Sequence, residues 1–240
     1  ICWLSVSNNF LILIVLKIVV NYTFKTGDRS RLRESMSLRQ KNKANRQKVI
    51  VANAARLFSS IGYDLTGIEM VAERSNVSPA TIYNNFENKI GLLLAVLTVE
   101  GEGVKDVGEQ IITQHRAGDV GVIYRLIEHY VSYPMEFMNK SCWRQALAAS
   151  TASSNKKFTR EYQNVDKQLK TQLVATMKAL HKEHIFVSKV DPISLGEIIW
   201  NNVDQMFTDF ISDEGMSLEE LKSTIARQTA ALMSLALTKS

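Results

Sequence analysis

Short polar and small side chains recur between residues 78 and 85, and their types and spacing suit the recognition of base edges. The amide of an asparagine such as Asn84 can form two hydrogen bonds with adenine, and the methyl groups of Ala80 and Thr81 can contact the thymine methyl group. No acidic residue occurs from residue 75 to residue 86, so no carboxylate in this stretch would repel phosphate. This chemistry indicates that the segment reads double-stranded DNA.

Two local signals place these residues on the second helix of a helix-turn-helix. Asn76 stands where a tight turn needs a left-handed residue, and asparagine tolerates that conformation better than any residue except glycine. Ser78 and Pro79 have the types expected at the N-cap and first position of the next helix. Thr66 and Glu69 match a capping box, which predicts that Thr66 opens the preceding helix. The second helix of such a unit enters the major groove, although an ordinary helical hairpin would show the same apolar spacing.

The flanking sequence predicts a supporting helix before this pair and phosphate contacts around it. The helix is expected to begin near Asn45 and to end at Gly62, which suits a left-handed cap. Its apolar face repeats at three- and four-residue spacing: Ile50, Ala54, Leu57, Phe58 and Ile61. Tyr83 and Lys89 carry a hydroxyl and an ammonium group where they could reach phosphates, and Thr66 lies at a predicted helix N-terminus, which favours an anion.

Residues 66–89 resemble the DNA-binding signature of the TetR family of transcriptional regulators. Four features are shared. A threonine opens the second helix, and an apolar residue followed by alanine lies inside that helix. The turn and the run Thr-Ile-Tyr-Asn-Asn-Phe at residues 81–86 complete the signature. The resemblance covers residues 44–95. It departs at Asn76, where the family has glycine, and at residues 90–91, which predicts a weaker start of the fourth helix.

The resemblance also implies a role for each residue of the interface. The residues expected to face bases are Ser78, Ala80, Thr81 and Asn84. The residues expected to face mainly phosphates are Thr66, Tyr83, Asn85 and Lys89. Pro79 belongs to the same outward set, and Arg46, at the start of the first helix, is expected to contact the DNA backbone. A homodimer would hold two such helices about one turn of DNA apart and so read a palindromic operator.

Basic side chains are concentrated before this unit. Residues 25–48 contain nine basic and two acidic side chains, a net charge of +7, although the whole chain carries only +5. This favours a polyanion as partner, although a solvated arm would show the same charge. We expect translation to start at Met36, with residues 1–35 as upstream read-through and a flexible basic arm up to residue 43. The apolar run at residues 10–20 is too short to span a membrane, so a membrane anchor is the less favoured interpretation.

The apolar periodicity from residue 44 onward is helical throughout, so we expect an all-α protein. It would consist of an N-terminal three-helix helix-turn-helix DNA-binding domain at residues 44–90 and a C-terminal helical ligand-binding and dimerisation domain at residues 91–240. Gly101 and Gly103 are expected to interrupt the first helix of the second domain.

Two long apolar helices are predicted near the end of the chain, at residues 192–212 and 217–237. They fit a two-fold four-helix dimer interface, which the resemblance implies, although packing within one subunit is the alternative. The resemblance also implies a cavity for a small-molecule effector in this domain. The candidate ligand-binding residues are Tyr130, Tyr133, Phe137, Met138, Trp143, Trp200, Asn201 and Met206. Side chains of these types at helical spacing are, however, also typical of an ordinary core.

No catalytic motif is found, so we expect a binding protein rather than an enzyme, with no cofactor and no metal ion. The pair His181 and His184 more often lies on a solvated surface than in a metal site. Cys2 and Cys142 cannot form a disulfide framework, which favours a reducing, cytoplasmic location. We expect a transcriptional regulator, a repressor that a ligand releases from a palindromic operator. The alternative is a DNA-binding protein without an effector, acting constitutively or architecturally.

Overall fold

The computed structural model describes residues 29–152 and 156–238 of the chain. Within these ranges the protein is all-α, as predicted, and β structure is limited to an isolated antiparallel bridge between Phe186 and Leu237. In chain order the helices are α1 (Arg29–Ile61), α2 (Ile68–Arg74), α3 (Pro79–Phe86), α4 (Lys89–Thr113), α5 (Gly121–Ser132), α6 (Pro134–Phe137), α7 (Lys140–Thr151), α8 (Lys156–Lys182), α9 (Pro192–Ser212) and α10 (Leu218–Ala236). The apolar run at residues 10–20 and the expected read-through before residue 29 lie outside the described residues.

The described residues belong to two compact units, one within Ile1–Lys48 and the other within Val49–Ser240. In the first unit the backbone is helical from Arg29, well before the start that we expected near Asn45, so the described part of the basic segment is helical. Arg46 is exposed on this helix. The predicted domain boundary at residue 90 falls inside the second unit and stays a prediction.

The two long helices predicted near the end of the chain are confirmed, and a side chain caps the start of each. The Asp191 carboxylate accepts hydrogen bonds from the backbone amides of Ile193 and Ser194, at 3.2 and 3.0 Å, and Pro192 takes the first helical position of α9. The Ser217 hydroxyl accepts a hydrogen bond from the Glu220 amide at 3.1 Å, at the start of α10. Each cap satisfies amides that the first helical turn leaves unpaired, which is why these helices begin where the sequence predicts.

Helix α4 runs without interruption to Thr113, so the predicted break at Gly101 and Gly103 is wrong. Both glycines instead permit close packing. A Cβ atom on Gly101 would lie 2.6 Å from Cγ1 of Val165 on α8, and a Cβ atom on Gly103 would overlap the hydroxyl of Tyr133. The glycines thus let neighbouring elements approach the backbone of α4, which compensates for their low helix propensity.

The second unit is organised around one apolar core, against which even the short α6 packs Met135 and Phe137. The largest fully buried side chains include Phe58, Ile82, Leu92, Leu93, Ile123, Leu126, Met138, Leu173, Met177 and Phe210. Helix α8 packs against α4 on one side and α9 on the other, and this arrangement forms the cavity described below. In the part of the chain that the structure describes, no helix combines the length and apolarity needed to cross a bilayer.

Candidate functional site

The turn between α2 and α3 has the geometry that the sequence predicts. Asn76 adopts a left-handed backbone conformation with φ of 52°. The Ser78 hydroxyl accepts a hydrogen bond from the Thr81 amide at 3.2 Å, and Pro79 occupies the first position of α3. Two short helices joined by this turn form a helix-turn-helix, as predicted.

The predicted capping role of Thr66 is wrong. The N-cap of α2 is Gly67, and no side chain caps this helix. The Thr66 hydroxyl instead donates a hydrogen bond of 2.7 Å to the Gly62 carbonyl, and the residue is only 1% exposed. Gly62 ends α1 in a left-handed conformation with φ of 85°, so its carbonyl needs a partner from outside the helix. The hydroxyl is therefore engaged inside the protein, and the phosphate contact of Thr66 stays a prediction that this position does not support.

One side of α3 is open to solvent. The exposed residues at its start and along its length are Ser78, Pro79, Ala80, Tyr83 and Asn84. Thr81 and Asn85 are half-buried, with the Asn85 amide group donating a 2.6 Å hydrogen bond to the Thr81 carbonyl. Ile82, on the opposite side, is fully buried. The structure thus brings the predicted base-facing residues together on one short surface, held by a buried isoleucine.

Asn53 cross-links α1 to the helix-turn-helix, a role that we did not predict. Its side-chain amide donates hydrogen bonds of 3.1 Å to the Arg74 carbonyl and to the Ser75 hydroxyl. Asn53 is buried, and both acceptors lie at the end of α2, next to the turn. A polar residue between Ile50 and Ala54 on the apolar face of a helix is the signal that could have identified it.

We expect Asn53→Ala to lower the free energy of unfolding by about 1–3 kcal/mol, because it leaves two acceptors at the end of α2 without a donor. Equilibrium urea denaturation measures this effect. Arg56→Ala, at an exposed position of the same helix, is the control and should change stability little. A loss for Asn53→Ala no larger than the loss for Arg56→Ala would show that the cross-link does not stabilise the unit.

Lys89 fixes the start of α4 to the connection between α1 and α2. Its ammonium group lies 4.2 Å from the centre of the Tyr63 ring and donates a 3.3 Å hydrogen bond to the Asp64 carbonyl. Partial burial lowers the pKa of Lys89 below its usual value, whereas the nearby Asp64 charge opposes this change. The Asn88 side chain caps α4 by accepting a hydrogen bond from the Gly91 amide at 2.8 Å. The start of α4 is therefore well supported, although residues 90–91 predicted a weak one.

A cavity of about 80 Å³ lies among α4, α5, α7, α8 and α9, next to the start of α6. Three of the predicted ligand-binding residues line it, namely Tyr130, Trp143 and Trp200. The other five predicted residues do not: Tyr133, Phe137, Met138, Asn201 and Met206. Met138 is fully buried, Asn201 is exposed, and the ring of Tyr133 packs on that of Phe137, with their centres 5.0 Å apart. The spacing of residues along a single helix could not show which of these side chains line the cavity and which do not.

The cavity is lined by acidic side chains that we did not predict. Glu100 of α4 is only 2% exposed, and burial raises its pKa to about 8. Burial raises the pKa of Asp166 to about 6, the Asp204 charge adds to the effect, and the Trp200 indole opposes it by donating a hydrogen bond to the Asp166 carboxylate. Burial also raises the pKa of Asp204. A glutamate in register with Leu93 and Leu97 on an apolar helix face was the sequence signal for Glu100.

Two helices connect this cavity to the helix-turn-helix. Helix α4 carries Lys89 at its start and Glu100 about three turns later. Helix α7 carries Trp143, which lines the cavity, next to Cys142, whose thiol donates a 3.2 Å hydrogen bond to the Phe58 carbonyl of α1. Burial raises the pKa of the Cys142 thiol to about 11, so it remains protonated as this contact requires. Helices α4 and α7 therefore form continuous packed connections between the cavity and the helix-turn-helix.

Within the described ranges, no three His, Cys, Asp or Glu side chains are grouped closely enough to hold a metal ion. His181 and His184, which the sequence suggested as a weak metal pair, differ in position: His184 is exposed, whereas the His181 ring stacks on Phe186 with centres 6.3 Å apart.

Comparison with known proteins supports the sequence resemblance. Residues 50–96 match the family model described as bacterial regulatory proteins, tetR family. The chain is also 32% identical, over 111 residues, to the uncharacterized HTH-type transcriptional regulator YvkB of Bacillus subtilis (strain 168). That match covers 36% of this chain and 59% of the relative, so the chain spans less than two thirds of the relative's length.

Solved structures share the fold over most of the chain. A transcriptional regulator from Saccharomonospora viridis in complex with choline gives a TM-score of 0.66 at 19% identity, covering 82% of this chain and all of that one. The regulator FadR of Bacillus subtilis, in complex with stearoyl-CoA, gives a TM-score of 0.59 at 15% identity, covering 78% and 98%. A TetR regulator from Haloarcula marismortui gives 0.64 at 17% identity, covering 81% and 100%. At these identities the likeness establishes the fold, an N-terminal helix-turn-helix domain followed by a helical domain.

Proposed function

We propose that the chain, whose residues 50–96 match the tetR family model, is a sequence-specific transcriptional regulator of that family which a small-molecule ligand releases from its operator. The observation that carries this proposal is the solvent-exposed side of α3, which presents Ala80 and Asn84 from a short, firmly capped helix. Such a helix fits the major groove, and these two side chains offer the contacts that distinguish adenine and thymine.

The proposed contacts divide into two groups. Ser78, Ala80, Thr81 and Asn84 face base edges, with Pro79 beside them. Tyr83, Asn85 and Lys89 face phosphates. Arg46, exposed in the basic segment, makes a backbone contact of its own. Because phosphate contacts carry no sequence information, changes at the second group should weaken binding to all DNA alike.

The proposed regulator acts as a homodimer through α9 and α10. Ile198 on α9 and Leu235 on α10 are 52% and 79% exposed, so both side chains are accessible to a partner subunit. Other apolar residues of these helices, among them Ile199, Val203 and Ile225, are buried within the subunit. The dimer surface that we propose is therefore narrower than the sequence suggests. A two-fold dimer would present two α3 helices to the half-sites of a palindrome.

The effector part of the proposal depends on the cavity. A ligand that binds one conformation of the cavity better than another shifts the equilibrium between conformations with different spacings of α3. Helices α4 and α7 supply the mechanical connection through Lys89 and Cys142. The complexes of related folds with choline and with stearoyl-CoA support an effector as the general case. Repression is the outcome that we propose. The protein would block transcription while it is bound to the operator, and binding of the ligand would release the protein from the DNA.

Fluorescence anisotropy tests the DNA-binding part of this proposal. The full chain is titrated with DNA from the promoter beside its own gene and with shuffled DNA of equal length, at several salt concentrations. We expect the promoter to bind roughly 10³-fold or more tightly than shuffled DNA, and both affinities to fall as salt rises. Equal affinity for both DNAs at every salt concentration would contradict sequence-specific recognition.

A DNA-binding protein without an effector is the alternative function. It predicts that no small molecule both raises the melting temperature of the protein and weakens its binding to the promoter. A compound that does both supports the regulator. A cavity that holds an unpaired buried carboxyl group favours the regulator, because a purely architectural protein has no use for such a group.

A further inference from the structure

The lining of the cavity among α4, α5, α7, α8 and α9 has one sign of charge. Its ionisable residues are Glu100, Tyr130, Glu161, Tyr162, Asp166 and Asp204, and none of the described lining residues is a lysine, arginine or histidine. The Tyr162 hydroxyl lies within electrostatic reach of Glu100, Asp166 and Asp204, since all three carboxylates raise its pKa beyond the effect of burial. The acidic side chains of the lining are therefore grouped around the Tyr162 hydroxyl.

Glu100 is the residue that marks this cavity as a binding site. It is 98% buried, it lines the cavity, and no hydrogen bond or ion pair to it is found within the described residues. Burying an unpaired carboxyl group is costly, and proteins normally pair such a group or place it on a surface. Neither occurs here. Burial keeps the group mainly protonated at neutral pH, its hydrogen-bonding capacity is unmet within the described residues, and a ligand in the cavity would supply the missing partner.

Aromatic rings make up much of the remaining lining. Tyr130, Trp143, Tyr162, Trp200 and Phe207 all line the cavity, and the rings of Tyr130 and Trp200 meet edge to face with centres 5.8 Å apart. Trp143 and Phe207 meet in the same way at 5.4 Å. The faces of aromatic rings attract cations, and a group of such rings is the usual site for a quaternary ammonium ion.

We propose that this cavity binds a compact organic cation with an ammonium group, held by the Glu100 carboxylate and by the surrounding aromatic rings. The inference rests on the proposed function, since it names the chemical class of the effector. The volume of about 80 Å³ favours a small ligand, because pockets for drug-sized molecules are roughly 300–1,000 Å³. An anionic ligand would meet four carboxyl groups, and a neutral one would leave the charge of ionised Glu100 uncompensated.

Binding of such a cation should release a proton. The pKa of Glu100 in the empty cavity is about 8, so the group is mainly protonated at neutral pH, and a bound cation favours the charged form. Affinity should therefore rise from about pH 6 to about pH 8.5 and then level off. The groups that face Glu100 from neighbouring elements are Tyr130 and Tyr133 of the α5–α6 region, Glu161, Tyr162 and Asp166 of α8, and Asp204 of α9. Of these, Asp166, with a pKa of about 6, adds to the lower end of the rise.

Isothermal titration calorimetry of the full chain tests the proposal, with tetramethylammonium chloride as the probe at constant ionic strength. The neutral control is tert-butanol, which has nearly the same shape. At about pH 8.5 we expect tetramethylammonium to bind at least about tenfold more tightly than tert-butanol, and Glu100→Gln to remove at least about tenfold of its affinity. Glu102→Gln changes an exposed carboxylate on the same helix and should leave binding unchanged. Asp166→Asn, which keeps an acceptor for the Trp200 indole, is the second variant and should also weaken binding.

Two results would overturn the proposal: equal affinity for tetramethylammonium and tert-butanol, or unchanged affinity for the cation in both Glu100→Gln and Asp166→Asn. Release of promoter DNA, measured separately, distinguishes this failure from failure of the proposed function. If tetramethylammonium binds but no cation of this class releases DNA, the cavity assignment stands and the effector role is contradicted. If only a neutral or anionic compound binds and releases DNA, the effector role stands and the cation assignment is overturned.

Discussion

Replacing Asn84 with alanine is expected to weaken binding to the operator by roughly 30-fold to 10⁴-fold. One bidentate contact between a side chain and a base contributes about 1–3 kcal/mol to discrimination, and a homodimer loses that contact in both half-sites. Asn84 is exposed, and within the described residues no hydrogen bond to its side chain is found, so the substitution should not destabilise the fold. The measurement is fluorescence anisotropy with operator DNA and with DNA substituted at single base pairs.

The way in which the loss of affinity depends on the DNA sequence is more informative than the size of that loss. If Asn84 reads a base, Asn84→Ala should bind the operator and DNA substituted at that base pair with similar affinity, because the preference for that base is lost. Asn164→Ala, which removes an exposed asparagine of α8, is the matched control and should bind as the unchanged protein does. If Asn84→Ala kept the full base preference at every position, Asn84 would not be a base-reading residue.

Replacing Glu100 with glutamine is expected to stabilise the protein by ~2–4 kcal/mol at pH 8.5, an unusual result for a buried position. The pKa of Glu100 is about 8, well above its ordinary value of 4.5, so the charged form is disfavoured in the folded protein. Each pKa unit corresponds to ~1.36 kcal/mol, and part of this gain is lost because a buried amide also carries a desolvation cost.

The sign of the pH dependence follows from proton binding. Between pH 4.5 and about 8, folded Glu100 retains a proton that the unfolded chain has released, so this residue makes stability fall as pH rises through that window. Below pH 4.5 both states are protonated, and above about 8 the loss is complete. The advantage of Glu100→Gln should therefore be small at pH 4.5 and largest above pH 8.

Urea denaturation at pH 5 and pH 8.5 measures the difference, with Glu102→Gln as the control for removal of an exposed carboxylate from the same helix. The control should show little change at either pH. An advantage of Glu100→Gln that is the same at both pH values would mean that Glu100 is not held in its neutral form in the folded protein.

The helix-turn-helix could be predicted from the sequence because its geometry is set by local residue types. Asn76, Ser78 and Pro79 each specify a backbone conformation within a few residues, and the structure has those conformations. The prediction failed at Thr66, where two local motifs compete. The hydroxyl could cap α2 or satisfy the carbonyl of Gly62, and the left-handed end of α1 decides for the second.

The cavity could be predicted only in part, because its lining comes from helices that meet only in the folded protein. Residue type selected Tyr130, Trp143 and Trp200 correctly but also selected Phe137 and Met138, which pack elsewhere in the core. Aromatic and methionine residue types do not point to the carboxylates, which are the informative residues of the site. Gly101 was read as a helix breaker for a similar reason, since its packing partner, Val165, is 64 residues away along the chain.

Selection from randomised double-stranded DNA tests the central claim, which is that α3 reads DNA sequence, most directly. The full chain is incubated with DNA containing a random central region, and the bound fraction is amplified and sequenced over several rounds. We expect enrichment of a two-fold symmetric site whose half-sites lie about one helical turn, or a multiple of it, apart, and loss of the preference at one base pair of each half-site in Asn84→Ala. Failure of the unchanged protein to enrich any sequence over the starting pool would contradict the claim.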